Sequence, residues 1–332
     1  MISSDVYFIT GATGNIGRRI VYYLVQSSNI HVIAGCRDID KAKYIFSDLV
    51  YNSNFEITHY DINDGGVVEY SYENIDYIIH CAGICKNIVC KTTPQEVLDV
   101  NINGMFNVCK LASKLAVKKL LFISSASVYG DTNNQDNCEN TYGKIEFDNV
   151  GMVYSESKRC AELICSCYAE KIPICIVRPF HILSKEELLE KGSLLEDICS
   201  AAINMKKVKL RGDGKQKRNF TYIDDMIGAL VYLCHHETGC FNIGNKCGTI
   251  TIYELTEKII NILKRRGIVD AKSEIDIVFE KDKYKKQTNN LDMVPNLDKL
   301  NSIYNESKNF INIDVALERV FEEIGDVKYE NV

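Results

Sequence analysis

The chain runs to 332 residues, 46% of them hydrophobic and 25% charged, an ordinary globular composition with length enough for one large core or two smaller ones. Its formal net charge of -6 argues against a general nucleic-acid binder, because no basic stripe exists beyond short clusters such as Lys283, Lys285 and Lys286, which read as a solvated loop. No basic leader with a long apolar stretch precedes the run at residues 6–9, and no window reaches the roughly 18 apolar residues of a spanning helix, so a cytoplasmic location without membrane partners is expected.

Apolar runs at residues 6–10, 32–35, 55–60, 77–80, 120–124 and 174–177 read as strands, with amphipathic helical stretches between them. Such alternation builds βαβ units and hence an α/β fold of the Rossmann type, a doubly wound parallel sheet with helices on both faces. After Pro179 the pattern loosens into helices around residues 195–205, 223–235, 252–264 and 313–324, with a few short strands. The expected division is a dinucleotide-binding domain over residues 1–178, carrying the catalytic residues, and a smaller α/β substrate-binding lobe over 179–332, part of which returns to the main sheet. Fourteen cysteines are scattered through the expected core elements, so reduced, buried thiols are expected and not a disulfide framework. Neither Cys81, Cys85, Cys90 nor Cys160, Cys165, Cys167 contains a CxxC pair, and Cys234-His235-His236 reads as a helix end, so no metal site is expected.

The segment Thr10-Gly11-Ala12-Thr13-Gly14-Asn15-Ile16-Gly17 follows the first strand and opens the first helix, the context in which a glycine pattern becomes a phosphate site. Glycines let the backbone turn tightly and approach a pyrophosphate, while the amides and dipole of the helix start favour the anion. Gly11, Thr13, Gly14, Asn15, Ile16 and Gly17 are the expected contacts, although GxxGxxG spacing also fits a tight turn with no ligand. At the end of the second strand, Cys36 stands where an NAD site places an acid for the adenosine ribose. Arg37 beside it can make charge-assisted bonds to a 2′-phosphate, which favours NADP(H) over NAD(H); the alternative is an arginine paired at the surface with Asp38 or Asp40. Asp61 and Ile62, just past the third strand, are expected at the adenine edge.

After the fifth strand, at the carboxyl edge where open parallel sheets bind ligands, comes Ser124-Ser125-Ala126-Ser127-Val128-Tyr129-Gly130. Ser125 is the expected catalytic hydroxyl; Ser124 and Ser127 also fit as strand-end turn residues. Tyr154 and Lys158 have YxxxK spacing at a helix start, so phenol and ammonium share a face. A phenol with a pKa of ~10 is a poor base at neutral pH, and the adjacent ammonium is expected to favour the phenolate. Lys158 can also hold the nicotinamide ribose. Together, Ser125, Tyr154 and Lys158 point to proton and hydride movement at a carbinol carbon.

On these motifs the chain resembles the extended short-chain dehydrogenase/reductases, specifically the nucleotide-sugar epimerase and dehydratase branch, nearly end to end. The match takes in Gly11, Gly14 and Gly17, then His80-Cys81-Ala82-Gly83, Asn101 with Gly104 and Asn107, the Ser125 segment, Tyr154 and Lys158. It continues through Arg178-Pro-Phe-His181, Gly212-Asp-Gly214, the stretch from Arg218 to Asp225, and Phe241-Asn-Ile-Gly244. The resemblance implies cofactor contacts at Cys81, Ala82, Gly83 and Asn101. It implies a sugar nucleotide in the C-terminal cleft, with Arg218 on its diphosphate, His181 among the substrate contacts and the ring carbinol against Tyr154. It also implies a homodimer formed through the helices around residues 94–116 and 151–168.

Three departures separate the chain from its relatives. His181 followed by Ile-Leu-Ser replaces an Asn and a Tyr-Gly-Pro turn, the Thr-Asp-Glu acids of the 4,6-dehydratases are replaced by Ser125-Ala126-Ser127, and Cys36-Arg37 replaces the acid expected for NAD. The second argues against elimination of water. An NADP-sensing regulator would keep the glycine loop without needing Ser125, Tyr154 and Lys158. The expected function is therefore an NAD(P)-dependent nucleotide-sugar epimerase acting by transient hydride transfer. The alternative is an NADPH-dependent 4-keto-sugar reductase or another carbonyl reductase of the same family, such as one acting on a polyketide, steroid or phenolic carbonyl.

Overall fold

The structure, a computed structural model, describes residues 5–325 except 65–74, 86, 134–135, 147 and 281–291. The lysines at 283, 285 and 286 therefore lie outside the described residues. Strand and helix alternate first as β1 (Asp5–Thr10), α1 (Asn15–Leu24), β2 (Ile30–Cys36), α2 (Ile39–Ile45), β3 (Phe55–His59) and β4 (Tyr77–His80). Next come α3 (Asn87–Thr92), α4 (Pro94–Leu98), α5 (Gly104–Leu115), β5 (Lys119–Ile123), α6 (Val153–Tyr168) and β6 (Ile174–Pro179). The later part holds β7 (His181–Leu183), α7 (Lys185–Leu189), α8 (Leu194–Ser200), β8 (Lys207–Arg211), β9 (Lys217–Tyr222), α9 (Ile223–His236) and β10 (Gly239–Ile243). It ends with β11 (Thr249–Thr251), α10 (Ile252–Arg265), β12 (Asp276–Glu280), α11 (Asp298–Ile303) and α12 (Ile313–Glu322).

The central strands of the first half are mostly apolar because helices cover both faces of a parallel sheet; β5, Lys-Leu-Leu-Phe-Ile, is buried at every position, whereas the edge strand β3, Phe-Glu-Ile-Thr-His, is only partly buried. The sheet has seven strands in the order β10-β6-β5-β4-β1-β2-β3, and β1 pairs in parallel with both β2 and β4. The chain steps outward from β1 to β3, then returns to the other side of β1 as β4. That reversal puts the loops after β1 and β4 side by side at the carboxyl edge, the switch point where such sheets bind ligands. The crossover helices bury one stripe each, Gly17, Ile20, Val21 and Leu24 on α1 and Gly104, Met105, Val108, Cys109 and Ala112 on α5. The α/β doubly wound arrangement expected from the alternation is thus the one observed.

Contacts divide the chain into two compact units. The first comprises Met1–Tyr129, Ile145–Pro179 and Ile227–Phe241, the second Gly130–Lys144, Phe180–Met226 and Asn242–Val332. One change of unit falls at residue 179, close to the boundary read from sequence, but the segments 227–241 and 130–144 change sides. In the first unit, the returning stretch is held by Lys119 Nζ, which donates to the Glu237 carbonyl at 2.7 Å, and by a hydrogen bond between Tyr7 and His235. In the second, Asn242 Nδ2 donates to the Asn137 carbonyl at 2.7 Å, and Asn137 Nδ2 to that of Val294 at 2.9 Å. This unit contains a three-stranded sheet, β11-β9-β7, and the parallel pair β12-β8.

All fourteen cysteines are free thiols, but only seven are buried; Cys81, Cys138, Cys160 and Cys240 are half-buried and Cys85, Cys167 and Cys247 exposed. The expectation of buried thiols is corrected for these, which lie on loops or on outward helix and strand positions. Among the described residues, no helix is long and apolar enough to cross a membrane, and no three His, Cys, Asp or Glu side chains gather where a metal ion could be held.

Candidate active site

In the first unit the glycine loop is built by close approach. Gly11 has φ +65, and a Cβ there would fall 2.7 Å from the backbone N and Cα of Ala82, so a side chain would push the loops after β1 and β4 apart. A Cβ on Gly17 would lie 2.3 Å from the Gly11 carbonyl oxygen, so that glycine seats α1 on the loop. Gly14 is exposed and precedes α1, which has no side-chain cap and no acid in its first turn. A helix start leaves its first amides without intrahelical acceptors, and the N-cap residue here, Gly14, has no side chain to take them. This cradle fits a pyrophosphate. Thr13, Asn15 and Ile16 flank it, half-buried.

At the end of β2, Cys36 is buried, next to the backbone of Thr13, and burial pushes its thiol up to about 11, so no negative charge stands there for a ribose. Arg37 is exposed. Asp38 is occupied as the cap of α2, accepting the Lys41 amide at 2.9 Å, and Arg37 makes no ion pair among the described residues. Asp61 accepts the Asn63 amide at 2.9 Å, while the Ile62 carbonyl accepts from Asn107 Nδ2 at 2.8 Å and the Ile62 side chain fills the space above Gly104. Gly104 and Asn107 thus seat the Asp61-Ile62 turn.

After β4, Cys81 and Ala82 are half-buried and Gly83 is exposed. Asn101 stands behind them on a π-helical turn, Asp99–Asn103, between α4 and α5. Such a turn re-aims a side chain that a regular helix would point elsewhere. Its amide is engaged inside the protein: Oδ1 accepts the Ile84 amide at 2.8 Å, and Nδ2 donates to the Ile84 carbonyl at 3.0 Å and to Ser157 Oγ at 2.9 Å. Ser157 in turn donates to the Tyr154 carbonyl at 2.8 Å. Asn101 therefore positions the loop after β4 against α6. Ser157, wholly buried, was missed from the sequence because nothing local distinguishes it from Ser155.

The Ser125 hydroxyl lies near enough to that of Tyr154 to lower its pKa, and Ser125 Oγ accepts the Ser127 amide at 3.1 Å. Ser124 is excluded from that role, since its hydroxyl donates to Glu162 Oε1 at 2.5 Å. The buried Ser127 hydroxyl has no partner among the described residues. Lys158 is 7% exposed; its Nζ donates to the Ile123 carbonyl at 2.8 Å and lies 4.7 Å from the centre of the Phe122 ring. Burial lowers its pKa to about 8, against the opposing pull of Cys85, Cys81 and Glu162.

The expected lowering of the Tyr154 pKa by Lys158 does not appear. Burial raises it, the thiols of Cys85 and Cys90 raise it further, and the counteracting group is the Ser125 hydroxyl. The lysine sits on the same helical face but directs its ammonium at the end of β5. Burial, with the charge of Lys158, also takes His80 down to about 3, so it is neutral, bonded to Thr10 Oγ1 at 2.7 Å.

In the second unit, His181 on β7 packs at 5.3 Å against Phe220 of β9, and burial together with the Arg218 charge takes its pKa to about 3. Arg218 is 8% exposed, its Nη1 donating to the Lys217 carbonyl at 3.0 Å, and burial lowers its pKa to about 10 while Asp292 opposes. Arg218 is not a surface residue. β9 is buried from Arg218 to Tyr222, and Asp225 accepts the Ile311 amide at 2.9 Å.

Residues 7–244 match the model of the NAD dependent epimerase/dehydratase family. UDP-glucuronic acid decarboxylase 6 of Arabidopsis thaliana is 28% identical over 259 residues, covering 77% of this chain and 74% of its own. dTDP-D-glucose 4,6-dehydratase of Dictyostelium discoideum is 29% identical over 274 residues, covering 76% and 61%. Among solved structures, UDP-glucuronic acid 4-epimerase from Bacillus cereus, in complex with UDP-glucuronic acid and NAD, aligns with a TM-score of 0.76 at 21% identity over 96% of this chain and 100% of that one.

Proposed function

The chain belongs to the NAD dependent epimerase/dehydratase family, and from that premise we propose that this enzyme is a nucleotide-sugar epimerase that oxidises and re-reduces one sugar carbinol. The observation that carries the reading is the Ser125–Tyr154 hydroxyl pair, followed in the chain by Ala126 and Ser127 and by no carboxylate. Elimination of water needs an acid on the departing hydroxyl and a base at the neighbouring carbon, and this segment offers neither. Removal and return of a single carbinol proton needs only the pair.

Bound at the Gly11–Gly17 cradle, a nicotinamide dinucleotide supplies the hydride acceptor and donor. In its phenolate form, which the positive charge of an oxidised nicotinamide would favour against the burial that raises its pKa, Tyr154 takes the carbinol proton and gives it back when the ketone is reduced. Ser125 bonds the same substrate oxygen and steadies the charge that develops on it. Lys158 holds the nicotinamide ribose through Nζ, which Ile123 already orients. Gly11, Thr13, Gly14, Asn15, Ile16 and Gly17 hold the pyrophosphate, Asp61 and Ile62 the adenine, and Cys81, Ala82 and Gly83 line the nicotinamide side. Arg218, a desolvated guanidinium, takes the substrate diphosphate, with His181 as a neutral hydrogen-bonding partner.

Arg37 favours NADP(H) over NAD(H), and an exchangeable NADPH suits a 4-keto-sugar reductase, which is the second reading. Decarboxylase relatives supply a third outcome for the test, since a carboxylate beside the new ketone is lost as carbon dioxide. Incubation with UDP-, GDP-, CDP- and dTDP-sugars, UDP-glucuronic acid included, is expected to interconvert one pair of epimers with no net change at the reduced-nicotinamide band. Steady loss of that band with a 4-keto sugar, or release of carbon dioxide or water without an epimer, would replace the epimerase reading.

A further inference from the structure

Ser125 and Tyr154 reach each other from different elements, one from the turn after β5 and the other from the first turn of α6. Such a pair is only as well aligned as the backbone behind each partner. Both ends of the Ser125 turn are tied down by one carboxylate. Ser124 Oγ donates to Glu162 Oε1 at 2.5 Å, Arg178 Nε to the same oxygen at 2.9 Å, and Arg178 Nη2 to Glu162 Oε2 at 2.6 Å. Arg178 then reaches the far end of the turn, donating through Nη1 to the Tyr129 hydroxyl at 3.0 Å, with its guanidinium 4.9 Å from the centre of that ring. Arg159 of α6 adds donors to the Val128 and Tyr129 carbonyls at 2.6 and 3.2 Å. Glu162 is on α6, one turn beyond Lys158.

A buried ion pair is weak grounds for stability, because desolvating both charges offsets their attraction and an apolar pair could fill the same volume. An apolar pair could not accept the Ser124 proton or orient Arg178 toward Tyr129, however, since those bonds are directional. The arrangement suits a device that sets distance and angle. Resting on the reading of Ser125 and Tyr154 as the proton-transfer pair, we propose that Glu162 is a positioning residue of this site, acting through Ser124 and Arg178 to fix the Ser125 turn and so the place of the Ser125 hydroxyl beside Tyr154.

The test uses the full chain labelled with carbon-13 at the tyrosine Cζ, with the Tyr154 resonance assigned by its loss in Tyr154→Phe. Ser125→Ala defines the shift produced when the partner hydroxyl is gone. Ser124→Ala and Glu162→Gln are expected to move the resonance the same way, while Ser124→Thr keeps the wild-type position. On the nucleotide sugar that the wild type converts, Ser124→Ala is expected to lower kcat by about ten- to a hundredfold with KM changed by less than about threefold. Glu162→Gln strands the buried Arg178 charge, so where it does not fold, Ser124→Ala alone decides. An unmoved Tyr154 resonance in Ser124→Ala beside a clear shift in Ser125→Ala overturns the proposal, as does a Ser125→Ala spectrum identical to wild type. A wild type that converts no nucleotide sugar overturns the functional reading instead, and the resonance comparison still decides the positioning role.

Discussion

Tyr154 differs from phenylalanine by one hydroxyl, so Tyr154→Phe separates chemistry from binding: turnover should fall by roughly 10² to 10⁴ while calorimetric affinity for the dinucleotide survives. Lys158 makes a prediction that needs no substrate. Burial holds its pKa at about 8 in the folded chain, below its ordinary 10.5. Below about pH 8 the lysine is charged in both states and its full burial cost is felt. Between those values the unfolded chain binds a proton that the folded chain does not, so stability rises with pH. Relative to Lys158→Met, the wild type should therefore gain on the order of 3 kcal/mol in urea unfolding as the buffer goes from pH 7.5 to 10.5. A difference that stays flat over that range would mean the ammonium is not desolvated. Arg37 is exposed beside a neutral Cys36, and NADP(H) should bind about tenfold or more tightly than NAD(H), a preference that Arg37→Ala erases. Equal affinities in the wild type would sink that assignment.

At the scale of elements, the start of α1 separates a packing glycine from a binding one. Gly17→Ala places a methyl 2.3 Å from a carbonyl oxygen, and the helix must move, costing about 2 kcal/mol or more in denaturant unfolding. Gly14 has φ -76, which any residue adopts, and its added Cβ would meet only the Gly11 oxygen at 3.2 Å. Gly14→Ala should leave stability within about 1 kcal/mol while weakening dinucleotide binding about tenfold, because the methyl stands where the pyrophosphate approaches. Loss of stability without loss of affinity would reverse the two roles. The six strands of the first half were legible to within about two residues because each is built on a short apolar run. The π-helical turn at Asp99–Asn103 was not, since it adds no residue type that a regular helix lacks.

At the scale of the whole molecule, α5 and α6 leave Phe106 at 40% and Leu163 at 65% exposure, large apolar side chains on the helices expected to form a homodimer. Leu163→Arg should shift sedimentation toward the monomer with the melting temperature of the isolated chain little changed; a wild type that sediments as a monomer at all concentrations would remove the expectation. What the sequence by itself determined is local. The glycine loop, the strand-end serines and the YxxxK pair each lie within a few residues of one another, where spacing alone sets which groups share a turn or a face. The tertiary structure decided everything that joins distant segments: Asn101 to Ser157, Ser124 to Glu162, and residues 130–144 to the second unit. It also decided the acid–base properties. YxxxK spacing puts a lysine one turn from a tyrosine, but the Ile123 carbonyl that holds its ammonium and the burial that raises the phenol come from packing that no local pattern encodes.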